Sequence, residues 1–330
     1  MARVTVFGAG AMGTAMAIHV SRRGADTALW ASGHDTRALD GIRADGRHPQ
    51  LPAHLPESLP VYGPDELDKA AAGIEIAVLA ANSAGQRSLA GMVKEAVAPA
   101  DAIVSVAKGL ESETFLRMSQ VVSHELEGKT VVSIAGPCLA AELAQELPTA
   151  AVWASASEAD ARRAGEPFED RNYQIDYTDD LIGTEYCTVI KNVAAIGMGL
   201  LDGLGMSLNE HFKNAKSALF TKALQEVAEL VVALGGRAET ALGLAGLGDC
   251  LVTGLGGRNR IYGELVGAGR HPAMTLEDMQ NRGLTVEGVD SAVDVHRLMA
   301  EHGLDLPYHT AVYRVIVENA DPRSLLEVLC

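Results

Sequence analysis

Aromatic side chains are scarce, 4% of 330 residues, and cysteines number only four. Most of the apolar bulk must therefore come from smaller side chains. The 48% apolar share is carried mainly by Ala, Val and Leu, the material of helices packed on a buried parallel sheet. Cys138, Cys187, Cys250 and Cys330 are scattered without metal-ligand spacing, so neither a metal site nor a disulfide framework is expected. No charged leader and apolar signal segment precede the first strand-like stretch, and a reducing cytoplasm is the expected compartment.

Positive charge is also in short supply. Against 43 Asp and Glu stand 27 Lys and Arg, a formal charge of −16. Polyanion binding needs a basic face that releases counterions, so a nucleic-acid partner is excluded. An anionic small substrate would need cations gathered locally. Apolar runs are broken by Gly, Lys or Asp well short of the roughly 20 residues that span a bilayer, so no membrane insertion is expected. The chain is longer than one core usually supports, which implies two domains.

Residues 3–7 are β-rich and run straight into Gly8-Ala9-Gly10-Ala11-Met12-Gly13, after which 14–23 reads as a helix and 26–30 as a second strand. Strand, glycine turn, helix and strand in about 30 residues make a βαβ unit with a right-handed crossover. Further strands are predicted at 74–80, 102–107, 130–135, 150–153 and 173–177, separated by helical or loop material, hence a largely parallel sheet. Residues 41–64, rich in Pro, Gly and His and without periodicity, read as an irregular excursion. Beyond about residue 181 helical patterns take over, at 185–201, 214–234 and 289–301. The expected fold is α/β: a Rossmann-type doubly wound domain over 1–180, then an all-helical domain over 181–330, with the reactive residues in the cleft between them.

Gly8, Gly10 and Gly13 fit the spacing G-x-G-x-x-G. The first permits a tight turn, the second lets backbone approach a pyrophosphate, and the third lets helix pack closely on strand. Ala11 and Met12 would present amides at the positive end of that helix. A purely structural glycine turn is the competing reading, and the strand-turn-helix context favours a dinucleotide. NAD or NADP is left open. Past Trp30, Asp35 is a late candidate for a ribose hydroxyl, while Ser32, His34 and Arg37 suit a 2′-phosphate.

Reducing a ketone needs a proton donor near the carbonyl oxygen, and an anionic substrate needs cations or amides at its charged end. Lys108 follows a predicted strand at the carboxyl edge, where open sheets bind ligands, although a surface lysine capping a turn is an equal reading. Gly136 and Cys138 follow the next strand, and Ala140 opens the helix after it. Lys191 and Asn192 stand among Val189, Ile190, Val193, Ala194, Ala195 and Ile196, so Lys191 is expected to be buried and partnered. A structural salt bridge is the alternative. Asp249, Thr253, Gly257, Arg258 and Asn259 lie in a glycine-rich stretch whose amides and guanidinium suit phosphate oxygens, though Asp249 would serve equally as a helix cap.

In order, the blocks FGAGAMGTAMA at 7–17, AKGL at 107–110, AGPCLAAEL at 135–143, IKNVAAI at 190–196, NAKSALFTKAL at 214–224, GLAGLGDCLVTGLGGRNR at 243–260 and VEGV at 286–289 run through nearly the whole chain. Together they resemble the NAD(P)-dependent glycerol-3-phosphate dehydrogenase family. Many dehydrogenases share the glycine fingerprint; the KN, GD and GRNR blocks in this order are specific.

The resemblance implies hydride transfer between NAD(P)H and dihydroxyacetone phosphate or glycerol 3-phosphate, feeding phospholipid and carbohydrate metabolism. It implies Lys191 as general acid/base, with Lys108, Asn192, Asp249 and Thr253 around the reacting polyol end. Arg258 and Asn259 would take the phosphate, with Gly136, Cys138 and Gly257 also on the substrate side. Lys108, Ala140, Arg258 and Glu287 would approach the cofactor with Gly8, Gly10, Ala11, Met12, Gly13 and Trp30. A homodimer is the expected assembly. Residues 206–213 read as a longer connection than the family's short Gly-Asp-Asn turn, so another phosphorylated polyol or hydroxy compound is the alternative substrate. A non-catalytic dinucleotide-binding module is the alternative in kind, and Lys108, Lys191, Asp249 and Arg258 together argue against it.

Overall fold

In the computed structural model, which describes residues 2–330, the first unit is built on an eight-stranded sheet. Its strands are β1 (Arg3–Phe7), β2 (Asp26–Trp30), β3 (Val61–Tyr62), β4 (Ile76–Leu79), β5 (Ala102–Ser105), β6 (Thr130–Ala135), β7 (Thr149–Ala154) and β8 (Tyr173–Thr178). Between them run helices α1 (Ala11–Arg22), α2 (Thr36–Asp45), α3 (Leu67–Ala71), α4 (Ser83–Val93), α5 (Met118–Glu125), α6 (Ala140–Ala144) and α7 (Glu158–Gly165). The strands lie in the order β3-β2-β1-β4-β5-β6-β7-β8. The first six follow the doubly wound dinucleotide-binding order, with the switch point between β1 and β4.

Successive side chains of a strand point to opposite faces, and both faces of a parallel sheet are covered. Accordingly Val4, Val6, Val78 and Val104 pack in one core with Met16, Ile18 and Val20 of α1. Phe7, Ala77, Leu79 and Ile103 pack in another with Leu89 and Val93 of α4.

Two local readings are corrected. Helix α1 begins at Ala11 rather than residue 14, because the glycine turn itself supplies the first helical residues after an extended Gly10. The excursion at 41–64 is partly regular: α2 buries Leu39 and Ile42 one turn apart and ends at Gly46, whose φ is +64°, and β3 adds a short edge strand beside β2. Two residues are too few to carry a readable period. The sheet is largely parallel, as expected, with β7 alone pairing antiparallel to β6.

The second compact unit begins at Ile182 and is helical throughout its described residues. It comprises α8 (Leu181–Leu208), α9 (Lys213–Ala233), α10 (Ala238–Leu242), α11 (Asp249–Leu255), α12 (Arg258–Gly267), α13 (Pro272–Asn281), α14 (Glu287–His302), α15 (Pro307–Ile316) and α16 (Ser324–Glu327). A π-type turn at 244–248 leads into α11. Helix α8 is long and apolar enough to cross a membrane, yet 89% of its most apolar window is buried inside the protein, so its hydropathy serves a core.

The glycines within α8 stand where α12 crosses it. A Cβ at Gly199 would lie 2.1 Å from the Arg260 carbonyl oxygen, one at Gly203 2.0 Å from that of Glu264, one at Gly263 2.2 Å from that of Ile196, and one at Gly267 2.2 Å from that of Leu200. Helices α8 and α12 thus cross backbone against backbone, closer than side chains would allow. Because α8 continues to Leu208, the long connection expected over 206–213 shrinks to residues 209–212.

Candidate active site

The glycine turn of the sheet unit has the shape its spacing implies. Gly8 has φ +107°, and a Cβ there would stand 2.6 Å from the Ala80 carbonyl oxygen; at Gly13 it would stand 2.1 Å from that of Gly8. At Gly10, by contrast, nothing lies within 4 Å of such a Cβ. The turn is closed on its protein side and bare on the other. Ala11, Met12 and Gly13 form the first turn of α1, where backbone amides have no acceptor one turn back, and no acidic side chain stands there to repel an anion. An open groove of about 570 Å³ runs alongside, lined by Gly8, Gly10, Ser32, His34, Asp35 and Asn82 among others. These residues fit a dinucleotide, with its pyrophosphate on the bare glycine backbone.

Trp30 does not line this groove. Its indole is 2% exposed and packs against Phe7 at a centroid distance of 6.0 Å, so it belongs to the core, and only its backbone meets the turn, accepting from the Gly8 N–H. Asp35 is engaged within its own loop, its carboxylate accepting from the Ser32 N–H at 2.9 Å and the Ser32 hydroxyl at 2.7 Å.

Beyond β5 and β6 three candidates come together. The Lys108 ammonium donates to the Gly136 carbonyl at 3.3 Å, and the Cys138 N–H donates to the same oxygen at 2.8 Å. Met12, Lys108, Gly136, Cys138 and Tyr173 line one small cavity. Ala140 opens α6 and is half-buried against the core.

In the helical unit the remaining candidates gather. The Lys191 ammonium donates to the Asp249 carboxylate at 2.6 Å, both side chains being buried. The Thr253 hydroxyl donates to the Asp249 carbonyl at 2.6 Å, one turn along α11. Asn259 donates to the Asn192 side-chain oxygen at 2.9 Å, and Arg258, exposed at the start of α12, stands 3.8 Å from Glu287 at the start of α14. Gly257, with φ +92°, turns the chain into α12. Further along α8, Asp202 pairs with Lys216 at 2.6 Å and Arg260 at 2.5 Å. Burial, and then the neighbouring Asp249, push the Cys250 thiol up to about 12, which removes it as a nucleophile near neutral pH. A buried ammonium held in place by a carboxylate can pass a proton to an oxygen brought against it, and an exposed guanidinium at a helix N-terminus can receive an anion.

Sequence reasoning missed Ser291, whose hydroxyl lies 3.5 Å from the Asn192 amide nitrogen. Its one signal was its place a single turn after Glu287.

Family models described as the N-terminus and the C-terminus of NAD-dependent glycerol-3-phosphate dehydrogenase match residues 3–161 and 180–327. The chain is 33% identical over 329 residues to the NADP(+)-dependent glycerol-3-phosphate dehydrogenase of Archaeoglobus fulgidus, covering 98% of this chain and 97% of that one. It is 35% identical over 332 residues to the second NAD(P)+ glycerol-3-phosphate dehydrogenase of Salinibacter ruber, covering 99% and 93%. The crystal structure of glycerol-3-phosphate dehydrogenase from Coxiella burnetii matches with a TM-score of 0.86 at 31% identity, over 99% of this chain and 98% of that one. With both halves matched and full-length relatives at this identity, the chain belongs to the NAD-dependent glycerol-3-phosphate dehydrogenase family.

Proposed function

We propose that this protein reduces dihydroxyacetone phosphate to glycerol 3-phosphate with NADH or NADPH, and catalyses the reverse oxidation. The observation that carries the reading is the buried Lys191–Asp249 pair beside Asn192, in a unit that also presents Arg258 at a helix N-terminus.

The backbone of Gly8, Gly10, Ala11, Met12 and Gly13 would hold the dinucleotide pyrophosphate, with Glu287, Lys108 and Ala140 as further contacts. When bound, the reduced nicotinamide supplies the hydride to the carbonyl carbon. The chain's own residues manage the proton and the charge. Lys191, kept in place by Asp249, gives its proton to the oxygen that becomes the alcohol and takes it back in the oxidation. Arg258, with the Gly257 turn, meets the phosphate through charge-assisted hydrogen bonds. Lys108, Cys138, Gly136 and Thr253 complete the proposed substrate set.

A cytoplasmic homodimer is the proposed working form. Leu251 and Leu255, exposed one turn apart on α11, are apolar surface that a second copy would cover. The deciding assay follows NADH and NADPH oxidation with dihydroxyacetone phosphate, and also ranks the two dinucleotides. Stoichiometric dinucleotide binding without any oxidation would defeat the proposal.

A further inference from the structure

Within the segment that follows α2, residues 46–55 form a closed loop. Its ends meet where the Leu55 N–H donates to the Gly46 carbonyl at 2.8 Å and Arg47 pairs antiparallel with His54. Pro49 lies over α2, 2.7 Å from where a Cβ at Gly41 would stand, and Leu51 and Ala53 are buried in the same core as Ala9 of the glycine turn. The loop thereby brings His48, only 4% exposed, against the backbone of that turn.

The tautomer of His48 follows from its partners. Its Nδ1 faces the Gln50 N–H at 3.1 Å, and a backbone N–H only donates, so Nδ1 accepts. Burial pushes the imidazole below the ordinary histidine range, although the Ala9 carbonyl favours a ring proton. At neutral pH the ring is therefore uncharged, its one proton is on Nε2, and the Ala9 carbonyl is the acceptor set against it. The Thr14 hydroxyl of α1 donates to the same carbonyl at 3.3 Å.

Two donors thus meet the Ala9 carbonyl on the core side of the turn. In a trans peptide the C=O and N–H point opposite ways, so the Gly10 N–H is directed out of the core. That orientation needs holding. Gly10 has φ −67°, and rotating the Ala9–Gly10 peptide would carry it to positive φ, which glycine adopts at no steric cost. The rotated peptide would offer an oxygen where a phosphate needs an N–H.

We infer that His48 is a positioning residue for the dinucleotide: with Thr14 it fixes the Ala9 carbonyl inward and so aims the Gly10 N–H at the pyrophosphate. The inference rests on the reading of this turn as the pyrophosphate site.

The test compares His48→Ala, His48→Gln and Thr14→Val with the wild-type enzyme, recording Kd for NADH and NADPH by fluorescence titration, Tm, and kcat and KM for dihydroxyacetone phosphate at saturating dinucleotide. Losing one of the two donors should raise Kd in His48→Ala about threefold to tenfold, the worth of one hydrogen bond. With dinucleotide saturating, kcat and KM for dihydroxyacetone phosphate should stay within about twofold, because no substrate group is touched. A glutamine amide nitrogen reaches the place of the imidazole Nε2, so His48→Gln should return Kd to within about twofold of the wild-type value. Thr14→Val removes the other donor at nearly the same shape and should weaken dinucleotide binding about twofold to fivefold. It decides the matter if His48→Ala does not fold. A lowered Tm with unchanged Kd in His48→Ala and Thr14→Val would make the loop a structural support only and overturn the inference. So would binding in His48→Gln as weak as in His48→Ala. A wild-type enzyme that binds neither NADH nor NADPH would instead sink the assignment of the turn on which the inference rests.

Discussion

The ammonium of Lys191 and the carboxylate of Asp249 meet at 2.6 Å, with side chains 8% and 2% exposed, although 58 residues separate them in the chain. Two charges taken out of water this far hold each other, and removing one strands the other. Lys191→Met should therefore cut turnover by about two to four orders of magnitude and also lower stability, by roughly 3–5 kcal/mol. Adding Asp249→Asn to it should restore much of the stability and none of the turnover. Steady-state rates and thermal unfolding of both variants separate the two effects, and near-normal turnover in Lys191→Met would remove the proton donor from the mechanism.

Arg258 stands exposed, 3.8 Å from Glu287. If its guanidinium meets the substrate phosphate, Arg258→Ala forfeits roughly 1.5–3 kcal/mol, about a tenfold to hundredfold rise in KM for dihydroxyacetone phosphate. Dinucleotide affinity should change only a few-fold. An unchanged KM would leave Arg258 as a surface partner of Glu287.

The glycine turn offers a paired test. A methyl group at Gly13 would meet the Gly8 carbonyl oxygen at 2.1 Å and the Ala80 methyl at 2.7 Å, whereas one at Gly10 meets nothing within 4 Å. Gly13→Ala should cost about 1–3 kcal/mol of stability through overpacking. Gly10→Ala should unfold at the parent's temperature and yet bind NADH more weakly, because its methyl occupies space the pyrophosphate needs. Unfolding curves and a fluorescence titration with NADH check both, and an unimpaired Kd in Gly10→Ala would argue against the assigned side of the turn.

Asp294 on α14 provides a pH signature. Burial, and then Asp290, raise its carboxyl from an ordinary 3.8 to about 6. Between those values the folded chain binds the proton more tightly than the unfolded chain does, so this group's contribution to stability falls as pH rises through the window and is lowest above it. Asp294→Asn removes the charge at nearly constant shape. Its Tm should exceed the parent's at about pH 8, with the difference closing towards about pH 4. A difference that does not vary with pH would mean that the carboxyl titrates normally.

What could be read in the chain before folding was whatever depends on neighbours in sequence. The β1–α1–β2 unit, the doubly wound character of the first half and the helical character of the second follow from strand and helix periods and from glycine spacing, which act over a few residues. The burial of Lys191 was legible for the same reason, since apolar residues surround it on its own helix. Where a short segment carried no period, as at β3, or where direction depended on the return of the chain, as in the antiparallel β6–β7 pair, the sequence was silent.

Sequence by itself determined the elements and the chemical types available to a site: the glycine turn, two buried-helix residues at 191 and 192, and a guanidinium after a glycine pair. Only the tertiary structure decided that Trp30 turns its ring into the core, that Asp35 is spent on Ser32, that Asp249 is the partner of Lys191, and that Asn259 reaches Asn192 across 67 residues and Gly288 across 29. The physical reason is that propensity and hydrophobic period are properties of adjacent residues. The partner of a buried polar group is chosen instead by which backbones can approach closely enough, here by four glycines that let α8 and α12 cross without side chains between them.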